Sequence, residues 1–135
     1  MIRHKKLAIW GAILMTLSII LGAMGAHAMR NILDENQLRG YLTATEYLTI
    51  HGLAFLVLSI MRAEIEKAAL FIRYGLLIFS GSIYLLTVLS FGNVEYPKMI
   101  GLITPLGGTV MIVGWIWLVF TLSKAKEHKS SDRQA

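Results

Sequence analysis

Four long apolar runs dominate the chain, and short polar stretches separate them. The runs cover about residues 7–26, 43–61, 70–91 and 99–123. Each is close to the roughly 20 residues that an α-helix needs to cross the hydrocarbon core of a bilayer. The second run reaches that length only if its polar beginning, residues 43–47, is helical. The pattern predicts an all-α polytopic membrane protein, in which residues 1–123 form one bundle of four transmembrane helices.

The stretch between the first two runs has a mixed character. Residues 29–42 combine apolar side chains with charged ones, which predicts a short amphipathic helix lying at the membrane interface. Asn31 or Asp34 could cap this helix, and Gly40 could end it.

The remaining stretches are more polar. Residues 62–67 form a short link with charges of both signs, and residues 92–98 contain the turn formers Gly, Asn and Pro. Residues 124–135 are polar and basic, which predicts a disordered cytoplasmic tail.

Composition agrees with a membrane protein, and the basic residues predict its orientation. Only 16% of the residues are charged, against about 25% in a soluble domain. Ten Lys and Arg residues lie at the termini and in or next to the second connection, and three lie in the other two connections. Because Lys and Arg concentrate on the cytoplasmic side, both termini are predicted to be cytoplasmic. The topology therefore explains the net charge of +5, with a weak attraction to anionic lipid as a secondary consequence. The predicted partner is the lipid bilayer and not a nucleic acid, because the basic residues lack the interleaved aromatic residues of a nucleic-acid-binding surface.

The first run also has an alternative interpretation as a secretory signal peptide. A basic segment precedes it, and Ala26, His27 and Ala28 fit a small-x-small cleavage site. A run of about 20 apolar residues with glycines is, however, long for a signal peptide and typical of a packed transmembrane helix. We therefore expect the first helix to be retained.

Several polar groups interrupt the apolar runs, and ionisable groups at membrane depth are expensive and usually functional. His27 ends the first run, while Glu46, Tyr47 and His51 lie in the second. Glu46 precedes His51 by five positions, which separates the two side chains by about 140° around a helix. Glu46 must therefore find its partner elsewhere. A purely structural interpretation is the alternative to a functional one. In it Glu46 lies at the membrane interface, and His51 hydrogen-bonds a backbone carbonyl inside the bundle.

The third and fourth runs carry polar and irregular features of their own. Ser80, Tyr84 and Thr87 share one helical face, a pattern that most often joins helices and less often lines a cavity. Thr104 and Pro105 lie in the fourth run, where the proline should kink the helix and free a carbonyl. Small residues that would let helices approach closely are Gly22, Gly25, Ala26, Gly81, Gly101, Gly107 and Gly108.

These features converge in depth under the predicted topology. At 1.5 Å per residue, His51, Tyr84 and Pro105 come out roughly 9 to 12 Å inside the outer boundary, and His27 lies near that boundary. The sequence therefore predicts an outward-facing polar pocket. Its candidate residues are His27, Glu46, Tyr47, His51, Ser80, Tyr84, Thr104 and Pro105.

The four runs also carry short motifs that resemble a known family. They are GAMGAH at 22–27, TATEY at 43–47 leading to HGLA at 51–54, FSGSIY at 79–84, and ITPLGG at 103–108 before Gly114 and Trp115. In this combination and order the chain resembles the four-helix inner-membrane proteins grouped as domain of unknown function 423. The phenylalanine typical of the first motif is Met24 here. The resemblance implies a bacterial plasma-membrane protein with retained helices, and it implies no activity.

Function is left open between several classes. A non-catalytic accessory or stabilising subunit, or a binder of a lipid or small ligand, agrees best with the small number of reactive groups. The protein partners left open are a second copy of the chain, in a homo-oligomer, and another membrane protein. A small oligomeric transporter or channel would use Glu46, His51 and His27 for protons or cations. A haem or metal site would use His27 and His51, although no cofactor is firmly implied. Catalysis has the least support, because no nucleophile motif, phosphate loop or cysteine is present.

Overall fold

The computed structural model of the chain describes residues 2–91 and 98–131. Within these residues it contains four long α-helices, all long and apolar enough to cross a membrane. They are α1 (Lys5–His27), α2 (Glu35–Leu58), α3 (Glu66–Phe91) and α4 (Ile103–Ser131), with short 3₁₀ helices at Met29–Asn31 and Lys98–Leu102. The predicted fold class, an all-α membrane protein with four spans, is thereby confirmed.

The start of α2 lies before the apolar run, because Asp34 caps the helix. The Asp34 carboxylate accepts hydrogen bonds from the backbone N–H groups of Asn36 and Gln37, both at 2.9 Å. The Gln37 side chain in turn accepts from the Asp34 N–H at 3.1 Å, completing a reciprocal capping box. Gly40, predicted to end a separate helix, lies inside α2. The amphipathic stretch is thus divided between the 3₁₀ helix Met29–Asn31 and the first two turns of α2.

The start of α4 explains why the predicted proline kink is absent. Pro105 lies in the first turn of α4, just after the 3₁₀ helix Lys98–Leu102, and a first-turn proline has no intrahelical N–H bond to lose. At the other end α4 continues to Ser131. This extension runs past residue 123, the predicted end of the fourth run, and Lys, Ala and Glu are residues that readily prolong an existing helix.

The connection between α2 and α3 is short, as its polar composition predicts. The backbone N–H of Ser59 donates to the carbonyl of Phe55 at 2.9 Å, and that of Ile65 donates to the carbonyl of Ala63 at 3.0 Å. Residues 92–97, which cover most of the predicted third connection, lie outside the described residues.

Helix pairing arranges the bundle as two hairpins, α1 with α2 and α3 with α4, joined where α2 packs against α3. In α1 and in α4 the buried positions recur four and three residues apart, which gives each helix a narrow seam facing the bundle. The seam residues are Leu7, Gly11, Leu14 and Ser18 in α1, and Gly107, Met111, Gly114 and Leu118 in α4.

Glycines lie where the helices of each hairpin approach most closely. A Cβ added to Gly11 would lie 2.8 Å from the carbonyl oxygen of Gly52, so α1 and α2 meet backbone to backbone. A Cβ on Gly75 would lie 2.8 Å from the carbonyl oxygen of Gly107, and one on Gly114 would lie 2.7 Å from the amide nitrogen of Ile72. Membrane helices are held together by this kind of close packing, since lipid supplies no hydrophobic drive for association.

The outer surface of the bundle is apolar, as the lipid bilayer requires. Large aliphatic side chains such as Ile19, Val88 and Val119 are more than 60% exposed. Exposed hydrophobic surface on this scale would be a liability in water. It is the expected surface of helices that face hydrocarbon.

Candidate functional site

His51 lies inside the bundle, with only 5% of its surface exposed. Its Nδ1 is 2.8 Å from the carbonyl oxygen of Tyr47, one turn earlier in α2. Its Nε2 accepts a hydrogen bond from the indole Nε1–H of Trp115 in α4 at 3.2 Å. Both ring nitrogens are therefore engaged, one within α2 and one across to α4.

The two hydrogen bonds determine the tautomer of His51. A backbone carbonyl can only accept a hydrogen bond, so the proton between His51 and Tyr47 belongs to Nδ1 of the imidazole. An indole N–H can only donate, so Nε2 must offer its lone pair to Trp115. His51 is accordingly the neutral Nδ1–H tautomer, because an imidazolium has no acceptor for the indole.

A series of aromatic rings adjoins the imidazole ring of His51. The Tyr47 ring stacks on the imidazole at a centroid distance of 5.8 Å, and it also contacts the Phe79 ring of α3 at 4.7 Å. These side chains line one wall of a cavity of about 290 Å³ between α2, α3 and α4. Its lining residues are Tyr47, His51, Phe79, Gly108, Met111, Ile112 and Trp115.

The cavity lies on the flank of the bundle, away from its ends. Ile112, which lines it, is more than half exposed and lies well inside α4. An aromatic and aliphatic lining, with the polar atoms of His51 already bonded, is suited to an apolar occupant. This geometry differs from the outward-facing polar vestibule that the sequence predicts.

A second polar cluster joins α1, α2 and α3 and lies nearer to the start of α2. The Thr45 hydroxyl donates to the carbonyl of Tyr41 at 3.0 Å and lies 2.9 Å from the Tyr84 hydroxyl. Because its single proton is used, Thr45 accepts from Tyr84. The Tyr41 hydroxyl donates to the carbonyl of Leu21 at 2.9 Å, and Ser80 donates to the carbonyl of Ala44 at 3.2 Å.

A third contact of this kind joins α3 to α4. The Ser82 hydroxyl donates to the carbonyl of Phe79 at 2.8 Å, so the Thr104 hydroxyl, 2.6 Å away, donates to Ser82. Within the described residues, every buried side-chain nitrogen and oxygen has a hydrogen-bond partner. Hydroxyls bonded in this way act as contacts between helices.

The predicted pocket residues are therefore separated by the structure. Tyr47 and His51 line the flank cavity, whereas Ser80, Tyr84 and Thr104 belong to the helix contacts. His27, Glu46 and Pro105 are exposed. The described residues include no hydrogen-bond partner for the side chains of His27 and Glu46.

The structure places His51 and Pro105, which the sequence groups at one depth, at different levels along the bundle. Counted from Glu35, where α2 begins, His51 lies roughly 24 Å along the helix. It contacts Trp115, which follows Pro105 in α4 by roughly 15 Å. His51 and Pro105 are thus at different levels, and Thr45, the partner of Tyr84, lies roughly 9 Å before His51 along α2.

Trp115 is the functional candidate that residue patterns missed. A buried histidine in an apolar helix needs partners for both ring nitrogens. Only its i−4 carbonyl can be inferred from local spacing. The second partner, Trp115, comes from α4. The sequence feature that could have indicated it is the indole N–H of a tryptophan in an apolar helix, because that donor also needs an acceptor.

Most of the predicted packing residues lie at helix contacts. A Cβ on Gly25 would lie 2.9 Å from the Tyr41 ring, one on Gly22 would lie 3.7 Å from Thr45, and one on Gly108 would lie 3.7 Å from Phe79. Gly107 faces the backbone of α3. By contrast, Gly81 and Gly101 have nothing within 4 Å, and Ala26 is exposed.

The arrangement of histidines does not favour the alternative of a metal or haem site. Nδ1 of His51 carries a proton and the lone pair of Nε2 is shared with Trp115, so neither is free to ligate. His27 is exposed at the end of α1. Within the described part of the chain, no three His, Cys, Asp or Glu residues are grouped as a metal site would require.

Comparison with known proteins identifies the family. The model of the family described as "Protein of unknown function (DUF423)" matches residues 21–108, which include the helix contacts of α2 and α3 and the start of α4. The chain belongs to this family. The resemblance inferred from the short motifs is thereby confirmed.

Similar bacterial proteins extend over almost the same length as this chain. A UPF0382 membrane protein of Staphylococcus aureus is 32% identical over 89% of this chain and 97% of its own length. The UPF0382 membrane protein YwdK of Bacillus subtilis is 31% identical over 89% of this chain and 98% of its own length. No solved structure matches the chain. The DUF423 chain described here is thus similar throughout to proteins named as membrane proteins.

Proposed function

We propose that this protein is a non-catalytic plasma-membrane protein that accommodates a lipid acyl chain, or a similar elongated apolar ligand, in the flank cavity between α2, α3 and α4. The observation that carries the proposal is the position and lining of that cavity of about 290 Å³. Its mouth lies beside exposed Ile112 on the lipid-facing side, where an acyl chain can enter without crossing water.

The hydrogen bonds around the cavity support a binding role over catalysis. A general base needs a free lone pair, and the lone pair of His51 Nε2 is already shared with Trp115. The hydroxyls of Ser80 and Ser82 donate to backbone carbonyls and are not aligned with a base. The Tyr47, Phe79 and Trp115 rings instead provide a rigid apolar wall.

Fluorescence quenching by brominated lipids tests this proposal. In a variant that retains only Trp115 (Trp10→Phe with Trp117→Phe), acyl-brominated phosphatidylcholine should quench the emission of this half-buried indole. Gly108→Leu should reduce the quenching, because its side chain would extend into the cavity from a position where a Cβ makes only ordinary contact with Phe79, at 3.7 Å.

Gly81→Leu is the matched control, since a Cβ at Gly81 meets nothing within 4 Å. It makes the same change on an open helix face and should leave the quenching of Trp115 unchanged. Quenching that is absent in the parent protein, or equal in the Gly108 and Gly81 variants, would exclude acyl-chain entry.

A second candidate, a stabilising subunit of a membrane complex, is favoured by Glu46. This exposed carboxylate lies two turns beyond Arg39, in the part of α2 where the next residues are apolar. A carboxylate that faces lipid at this position is costly. Contact with a second chain on the face that also carries Ile50 and Leu53 would remove that cost.

Disulfide cross-linking with copper phenanthroline as the added oxidant tests the second candidate for the case in which the second chain is another copy of this protein. The absence of native cysteines confines the disulfide within this protein to the introduced thiols. Ile50→Cys in native membranes should give a cross-linked species, whereas Leu85→Cys, on the exposed side of α3, should not. Glu46→Gln should weaken the cross-link if the carboxylate contributes to the interface. Equal cross-linking at both positions would indicate random collision.

A further inference from the structure

The end of the bundle where α1 and α3 begin contains a cavity distinct from the flank cavity. Its volume is about 420 Å³. The residues that line it are Arg3, His4, Lys5, Lys6, Leu7, Glu66, Ala69, Leu70 and Arg73. Basic side chains form its rim and aliphatic side chains its floor.

The charge of this cavity is strongly positive. Arg3, Lys5, Lys6 and Arg73 face a single carboxylate, that of Glu66, which lies 3.7 Å from His4 Nδ1 and is itself largely exposed. None of the four cations forms an ion pair with a side chain in residues 2–90 or 99–124, where the structure describes side chains. Such a rim attracts an anion, and at a membrane surface each Lys or Arg strengthens the binding of an anionic lipid about fivefold.

Arg73 is oriented in advance for an oxyanion. Its guanidinium lies 4.9 Å from the ring centroid of Trp10 and 5.2 Å from that of Tyr74. Stacking uses the planar face of a guanidinium and leaves its N–H fork free to bind two phosphate oxygens. Trp10 and Tyr74 are also residues of the type that anchor helices at the headgroup level.

The N-terminal segment is held in place by the end of α2. The backbone N–H groups of Arg3 and His4 both donate to the carbonyl of Ser59 at 2.9 Å, and His4 Nε2 donates to the carbonyl of Ala63 at 3.1 Å. The rim is therefore built from ordered backbone, which lowers the entropy that a ligand must overcome.

We propose that this cavity binds the phosphate group of an anionic phospholipid in the leaflet where α1 begins. The phosphodiester would lie against Arg73 and Lys6, and the first methylenes of the lipid would cover Leu7, Ala69 and Leu70. The aliphatic floor favours a lipid over a free phosphate ion, which would leave those side chains uncovered. This site is independent of the flank cavity and of its proposed ligand.

Native mass spectrometry of the full-length protein in detergent, with equal amounts of phosphatidylglycerol and phosphatidylcholine, tests the proposal. The parent protein should retain phosphatidylglycerol preferentially. Arg73→Gln and Lys6→Gln should each reduce that preference about fivefold, and Arg73→Lys should reduce it less, because it keeps the charge and loses the fork. Lys6 is exposed, so Lys6→Gln remains informative if the loss of Arg73 stacking unfolds the protein.

Arg62→Gln is the matched control, because Arg62 lies at the same end of the bundle, is exposed and does not line the cavity. It should leave the preference unchanged. A loss as large as that of Lys6→Gln would show general surface electrostatics and overturn the proposal. Displacement of the lipid by excess inorganic phosphate would also overturn it, because it would show a site for the free anion.

Discussion

His51 combines a polar ring with an almost fully buried position in an apolar helix. The energetic cost of that position is offset by two hydrogen bonds, to the Tyr47 carbonyl and from the Trp115 indole. A buried polar group with both partners present is a structural element of the bundle, whereas one missing partner would cost about 1–3 kcal/mol. The residue that looked most like a catalytic or proton-carrying group is therefore also a link between α2 and α4.

The tautomer of His51 gives a direct spectroscopic prediction. In ¹⁵N NMR spectra of the protein in lipid at neutral pH, Nδ1 of His51 should carry the proton and Nε2 should show the shift of an unprotonated, hydrogen-bonded nitrogen. In Trp115→Phe the Nε2 shift should move towards that of a free lone pair. Protonation at Nε2 would contradict the geometry of both bonds.

Removal of the indole donor should weaken the bundle. Trp115→Phe leaves the His51 acceptor without a donor and should lower the free energy of unfolding by about 1 kcal/mol, measured by reversible unfolding in mixed micelles. Trp117→Phe is the matched control, since Trp117 is 42% exposed, stacks on Phe71 and makes no indole hydrogen bond among the described side chains. Equal losses in the two variants would mean that the hydrogen bond contributes nothing.

At the scale of the helix, close approach depends on particular glycines. Gly107→Ala should separate α3 from α4, because the new Cβ would overlap the backbone at Phe79 and lie 2.9 Å from the carbonyl carbon of Ile78. Such overpacking costs about 1–3 kcal/mol. The neighbouring Gly108→Ala, with its nearest atom at 3.7 Å, should leave the thermal midpoint nearly unchanged or raise it. A comparison of the two midpoints in one detergent checks the prediction.

The start of α2 depends on its cap. Asp34→Ala should cost about 1 kcal/mol and should speed hydrogen exchange of the Asn36 and Gln37 amides, which lose their acceptor. Asp34→Asn should keep most of the protection, because asparagine caps a helix nearly as well. If exchange at these amides were equally slow in Asp34→Ala, another group would have to satisfy them.

The whole molecule has an orientation that charge alone predicts. Both termini and the α2–α3 connection should lie in the cytoplasm, because ten of the thirteen Lys and Arg residues belong to these segments or flank them in the sequence. Single cysteines at Asn36 and Glu64, both exposed, test it in intact cells. A membrane-impermeant maleimide should label Asn36→Cys directly and Glu64→Cys only after permeabilisation, and the reverse pattern would invert the topology.

The number and type of elements could be predicted because each depends on local composition. A run of about 20 apolar residues can cross a bilayer as a helix whichever other helices it packs against. Helix ends were less accurate, since they depend on caps such as Asp34 and on the helix-forming residues of the α4 extension. The residues of the predicted pocket were chosen by their depth, and that depth was counted from the predicted helix ends. In the structure α2 begins at Glu35, and His51 lies at the level of Trp115 and not at that of Pro105.

The sequence by itself determined that the protein lies in a lipid bilayer, that it has four apolar spans, and which residues in those spans are unusually polar. Tertiary structure alone decided which groups on other helices the polar residues meet. Trp115 reaches His51 from 64 positions away along the chain, and Tyr84 reaches Thr45 from 39, so no local pattern encodes either pair. The physical reason is that hydropathy is a property of single residues, whereas hydrogen bonds and glycine contacts depend on how helices cross.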